Sequence, residues 1–316
     1  MIDNNVLNSA DSQLLNKNLK IGPLWEFSRP HTILGTTITV LTLFLITTSN
    51  IYAISEHDSI ILILTLISSL LANIYIVGLN QIYDIDIDKI NKPYLPLASE
   101  DLTIKQAKIL VVLSGAFSVI FSLFVSFYLL IIVLLGMFIG SLYSIPKTRF
   151  KTKPFVASFS ISFVRGVLGN IGLYLSYEVA LSSLRQNMDV VIIFLTVFVL
   201  INSAVIAIFK DIPDIEGDKK YNIRTFTVQL GQQKIFIISI VIILANYFFA
   251  IISGLVIAGV WDQFLMVVLH LLAGIIFYIL SRKVKPTDKI SVWRFYKKIW
   301  RFFYVEYIIL TLCIIF

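Results

Sequence analysis

Nine stretches of this chain stay apolar for about the 20 residues that a helix needs to cross a bilayer core. They lie near 33–54, 60–80, 109–126, 128–145, 155–177, 190–209, 235–259, 263–281 and 299–316. Inside hydrocarbon a segment must satisfy its own backbone amides, as an α-helix does. Only 14% of the residues are charged against 58% hydrophobic, where a soluble domain carries about 25% charged residues. The expected fold class is all-α: a polytopic membrane helix bundle with about nine transmembrane helices.

The basic residues sort by side. If those runs cross the membrane, 24 of the 26 Lys and Arg residues fall on one face, with Arg185 opposite and Arg165 inside the fifth span. The positive-inside rule makes that face cytoplasmic, or its equivalent in an internal membrane, and puts the N-terminus there. All eight prolines fall on the same face or at its helix ends, so the elaborate loops, where chemistry concentrates, are on that face. The third and fourth spans are separated by a tight turn around Ser126-Phe127-Tyr128. Ser114, Ser118, Ser122 and Ser126 give the third a stripe of small side chains suited to close packing. Residues 1–24 read as a flexible leader with neither a signal-peptide core nor transit-peptide composition. Residues 25–316 read as a single transmembrane domain. The lone Cys313 excludes an intrachain disulfide or a multi-cysteine metal site. The net charge of +7 tracks membrane sidedness and implies no nucleic-acid partner, only a lipid bilayer.

Seven of the 19 acids sit in two short stretches, NQIYDIDID at 80–88 and DIPDIEGD at 211–218, after the second and sixth spans. Asn80, Asp84 and Asp88 recur every four residues and would share one stripe of a helix. Asp214 and Asp218 repeat the spacing, with Asp211 one turn earlier. The helical reading turns Asp86 and Glu216 away from their partners. The chain looks like a four-helix unit used twice, plus a final helix. Carboxylates this close repel unless cations share them, and hard oxygen ligands suit Mg²⁺, which completes its shell with water and phosphate. Two such clusters facing one another would hold a diphosphate through bridging Mg²⁺, with Lys147, Arg149, Arg165 and Lys210 as candidate contacts to the remaining oxygens. The metal candidates are Asp84, Asp88, Asp211, Asp214 and Asp218. An isoprenoid diphosphate suits both the charged head site and the apolar surroundings.

With these motifs the sequence resembles the UbiA-type superfamily of membrane prenyltransferases, whose pattern is NxxxDxxxD after helix 2 and DxxxD after helix 6. The fuller wording NQIYDIDIDKINKPYLPLAS with KDIPDIEGD is most similar to the homogentisate prenyltransferase branch, supported by SRPHTILGT at 28–36, SLYSIP at 141–146 and RGVLGNIG at 165–172. The resemblance implies helices around a central cavity with a cytosolic cap. It also implies transfer of a prenyl group, phytyl favoured, from its diphosphate to an aromatic acceptor, homogentisate, with decarboxylation. The diphosphate leaves an allylic cation that the electron-rich ring attacks. Asn80, Asp84 and Asp88 carry over as one metal-diphosphate arm, and Asp214 and Asp218 as the other. Asp211 carries over as a third member of the second arm, and Tyr143 as a cavity residue. Where the branch usually reads Ala-Ser-Gly, this chain has Ala98-Ser99-Glu100, a further negative charge beside the first loop.

His31, at the mouth of the first span, is a candidate acceptor contact, with an interfacial role as its alternative. Arg165 needs an anionic partner inside the membrane: substrate phosphate, acceptor carboxylate or a structural ion pair. Within the superfamily, chlorophyll synthase-like and 4-hydroxybenzoate-type activities are the neighbouring readings. A cation-coupled transporter is the alternative of another class, but it would be expected to hold ionisable groups near the midplane, whereas these acids gather at one face.

Overall fold

The computed structural model describes residues 21–48, 54–181 and 188–315, so most of the expected leader, residues 1–20, lies outside the described residues. Every regular element described is a helix: α1 Ile21–Phe27, α2 Pro30–Thr47, α3 Glu56–Tyr83, α4 Ile85–Asn91, α5 Ile104–Leu123, α6 Phe127–Ser144, α7 Pro154–Ala180, α8 Met188–Phe209, α9 Ile215–Lys220, α10 Phe226–Leu230, α11 Gln232–Val256, α12 Gln263–Ser281 and α13 Lys289–Ile315. Eight of them are long and apolar enough to cross a membrane: α2, α3, α5, α6, α7, α8, α11 and α12. The ninth expected span, near 299–316, is the apolar end of α13, whose first half carries Lys289, Arg294, Lys297, Lys298 and Arg301. Those charges leave α13 short of a full apolar span, although Phe295 and Trp300 in its basic half pack into the core and the central cavity.

The helices close into a ring. In order, α2 packs on α3, α3 on α6, α6 on α7, α7 on α8, α8 on α11, α11 on α12 and α12 on α13, and α13 returns to α2. Helix α5 stands outside the ring against α3 and α6. There the serine stripe does what its spacing predicts. Ser68 Oγ donates to the Ser118 carbonyl and Ser118 Oγ to the Ser68 carbonyl, both at 2.8 Å, an approach only small side chains permit. Ser126 caps α6 through the Leu129 N–H, which fixes the expected tight turn.

Large apolar residues point outward, Phe127, Phe155, Phe248 and Phe264 among them, as a lipid-facing surface requires. The aromatic core sits between α8 and α11–α13, where Phe198, Phe277 and Phe295 are fully enclosed. His270 of α12 joins it by bridging the Met266 carbonyl and Glu306 of α13, pinning the two helices together inside the bilayer.

Candidate functional site

The two acidic motifs fold alike. Helix α3 breaks at Asp84, whose backbone (φ −112°, ψ 11°) leaves the helical region, and the Asp84 carbonyl then accepts the Asp88 N–H at 2.7 Å to start α4. Asp214 has φ −91° and ψ 1°, and its carbonyl accepts the Asp218 N–H at 3.1 Å to start α9. This sparsely populated backbone region recurs at active sites. Each motif thus sets one aspartate at a break and the next a turn further on. Asp84, Asp88, Asp214 and Asp218 are all buried, while Asp86 and Glu216 are exposed, as the helical reading expects. What changes is the expected continuous helix past Tyr83, which breaks at Asp84.

The motifs meet. Asn91 Oδ1 accepts the Gly217 N–H at 3.1 Å across α4 and α9. A Cβ on Gly217 would lie 2.6 Å from Asn91 Cγ, so only glycine allows this contact. Lys92 donates to Asp214 and stands 4.0 Å from Asp88, joining the two arms through one ammonium. Arg29 donates to Asn80 Oδ1 at 3.2 Å, Asn80 Nδ2 donates to Asp84 Oδ2 at 2.8 Å, and Lys151 closes on Asp84 from the other side.

Next to the arms, reached from the first motif by Asn80, lies a cavity of about 290 Å³, near the lower end of ligand-pocket volumes, roughly 300 Å³. Arg29, Asn80, Tyr143 and Lys210 line one end, and Val40, Leu129 and Leu173 line the other. It therefore follows α2 from before its first residue to Val40, about 16 Å at 1.5 Å per residue. Lys210 Nζ donates to the Tyr143 hydroxyl at 2.7 Å and is 4.0 Å from Asp211. His31 and Arg165 also line the cavity, both against Trp300 of α13.

Lys147 and Arg149 are outside this lining; Lys147 is exposed and Arg149 occupies a left-handed turn (φ 39°). The chain reverses there and delivers Lys151, two residues on, to the acids instead. Sequence reasoning counted Arg29, Lys92 and Lys151 only as markers of sidedness. Their sole local signal was position beside the motifs, and the pairing of Lys92 with an aspartate more than a hundred residues away is tertiary.

Burial, opposed by Lys92 and Arg29, raises Asp88 above the usual carboxylate range. Burial raises Asp211 to about 7 against the pull of Lys210, and burial with neighbouring Asp214 raises Asp218 to about 6. Lys151 is pushed down to about 7, first by burial and then by Lys210. Asp88 Oδ2 and Asp218 Oδ2 are buried without a hydrogen-bond partner. Among the described residues no three His, Cys, Asp or Glu side chains converge tightly enough to hold a metal unaided; Lys92 and Lys151 stand on the carboxylates. Orphaned hard oxygens on both arms nonetheless fit Mg²⁺, which takes only one or two carboxylates and fills its shell with water and phosphate.

Fold and site together define a polytopic helical membrane protein with a largely apolar cavity beside two joined acidic arms, lined by Asn80 and Lys210 next to the acids but by none of the five aspartates themselves. Residues 37–305 match the UbiA prenyltransferase family, and the chain belongs to that family. It is 36% identical to the homogentisate phytyltransferase of Synechocystis sp., covering 93% of this chain and 96% of that one. It is 38% identical to the homogentisate solanesyltransferase of Arabidopsis thaliana, covering 90% and 75% respectively. Among solved structures, a UbiA homologue from Archaeoglobus fulgidus bound to GPP and Mg²⁺ matches the fold with a TM-score of 0.61 at 16% identity, over 92% of this chain and 99% of that one.

Proposed function

We propose that this chain transfers a prenyl group, phytyl favoured, from its diphosphate to homogentisate. The observation that carries the reading is the meeting of two acidic arms, at Asn91–Gly217 and through Lys92, beside the polar end of an apolar cavity. Similarity to homogentisate phytyl-, solanesyl- and geranylgeranyltransferases supports the acceptor and leaves donor length to experiment.

In this reading Asn80, Asp84 and Asp88 form the first metal-diphosphate arm, and Asp214, Asp218 and Asp211 the second. Mg²⁺, when bound between them, would supply positive charge to the departing diphosphate. Arg29 and Lys210, with Tyr143 orienting the lysine, cover phosphate oxygens, the role expected of Lys147 and Arg149. Asn80 holds Asp84 in one orientation. The apolar walls from Ser144 down to Leu129 take the prenyl tail and keep water from the allylic cation until the acceptor ring attacks. Residues 25–316 act as one transmembrane catalytic domain, with the N-terminus and the acidic arms on the cytoplasmic face by the positive-inside rule.

Membranes containing the protein, given labelled homogentisate, Mg²⁺ and phytyl, geranylgeranyl or solanesyl diphosphate, test this. A prenylated, decarboxylated quinol with at least one donor is expected. No product from homogentisate with any donor overturns the acceptor, and product from 4-hydroxybenzoate instead would move the chain to another branch.

A further inference from the structure

Arg165 is a base left over by the diphosphate contacts proposed above. It lies in a ten-residue π-helical segment of α7, Phe163–Gly172, a widened helical form that is rare and tends to mark functional sites. Its guanidinium sits 4.5 Å from the centre of the Trp300 ring. Among the described residues no Asp or Glu pairs with it. Arg165 Nη1 and Trp300 Nε1 are both buried donors without a hydrogen-bond partner, and both residues line the cavity. An uncompensated guanidinium within a membrane span is expensive, and two orphaned donors on neighbouring side chains call for one acceptor group.

The surroundings decide which. In the reading above, diphosphate oxygens fall to Arg29, Lys210 and the acidic arms, and Arg165 pairs with none of those carboxylates. Its wall is aromatic instead: Trp300, with His31 edge-on at 5.0 Å between ring centres, and Tyr296 and Tyr143 nearby in the same lining. A guanidinium fork takes phosphate as well as carboxylate, so the choice rests on the aromatic wall and on the bases already beside the acidic arms. That wall suits a flat ring carrying one carboxylate, which a guanidinium grips in a bidentate fork.

We infer that Arg165, with Trp300 beneath it, is the subsite that binds the carboxylate of the aromatic acceptor and so selects an aromatic acid over a bare quinol. This rests on the acceptor reading above. The test compares wild type with Arg165→Met and Arg165→Lys, using homogentisate and methylhydroquinone, its ring without the carboxylate. Three quantities are read: KM for homogentisate, KM for the prenyl diphosphate, and homogentisate binding without donor, followed by tryptophan fluorescence.

The methionine variant should raise homogentisate KM and Kd tenfold or more and leave donor KM within twofold. The lysine variant should recover part of the loss, and it carries the comparison if the methionine variant does not fold. Methylhydroquinone should bind both proteins alike. Unchanged homogentisate Kd in both variants overturns the inference, as does a rise in donor KM equal to the rise for homogentisate. If wild type binds homogentisate through Arg165 but forms no product from it, the transfer reading fails and the subsite stands.

Discussion

In the first arm Asp84 is gripped by Asn80 and Lys151, and Asp88 faces Lys92 at 4.0 Å. In the second, Asp214 takes Lys92, while Asp218 has no described base within salt-bridge distance and Asp211 has only Lys210, at 4.0 Å. The backbones match, with a break at Asp84 and at Asp214 and a short helix after each. The charge is met differently: largely by lysines in the first arm, and in the second by protons that burial holds on Asp211 to about 7 and on Asp218 to about 6. Both devices keep buried carboxylates tolerable in the metal-free protein, and both must yield before a divalent cation can be shared.

The largest effect should come from deleting one carboxylate per arm. Asp84→Ala and Asp218→Ala should each lower kcat/KM by about 10³-fold or more, the scale on which preorganised charge acts. The double variant should be little worse than either single, because groups acting as one unit are not additive. Fully multiplicative losses would mean that the arms serve different ligands. Gly217→Ala comes next. Its Cβ forces Asn91 aside, spreads the arms and should cost about tenfold in kcat/KM and in the Mg²⁺ needed for half activity, since small misplacements are costly. Adding Asn91→Ala should recover part of that loss.

The contrast can also be read by pH. Asp211 and Asp218 have folded-state values above their unfolded ones, so the native state holds extra protons between about pH 4 and 7. Without divalent cation, thermal stability in detergent should therefore fall as pH rises through that window. Mg²⁺ should flatten the fall, and its affinity should climb as those protons leave. Asp218→Asn should remove part of the slope; a slope unchanged by both Asp218→Asn and Asp211→Asn would place the titration elsewhere. Lys92→Met should destabilise the metal-free protein by roughly 2 kcal/mol, because it leaves Asp88 and Asp214 facing one another, and Mg²⁺ should recover most of it.

How much of this was legible in the sequence follows the range of the interactions. Apolar runs and the four-residue spacing of Asp84/Asp88 and Asp214/Asp218 are local, and they located eight of the nine expected spans and the buried acids. The backbone break at Asp84 was not legible, since that motif is also compatible with a continuing helix, whereas Pro213 and Gly217 already make a regular helix doubtful in the second motif. Lys92 and Lys151 were hidden because their partners are brought by the fold. The placing of Lys147 outside the cavity lining was not legible either, because the reversal at Arg149 leaves no mark in the residue pattern.

Glu100 gives the smallest test. Its φ of 64° is a left-handed conformation that favours glycine: a side chain there costs roughly 1 kcal/mol. Its 3.7 Å pairing with Lys89 is largely solvated, with side chains 79% and 48% exposed, so it offsets little of that strain. Glu100→Gly should raise the melting temperature by about a degree at most and leave Mg²⁺ dependence unchanged, because relief of strain slightly outweighs the added unfolded-state freedom of glycine. A drop in stability would mean that the Lys89 pair outweighs the backbone. A changed Mg²⁺ requirement would show that the first arm's charge extends past Lys92 to this loop.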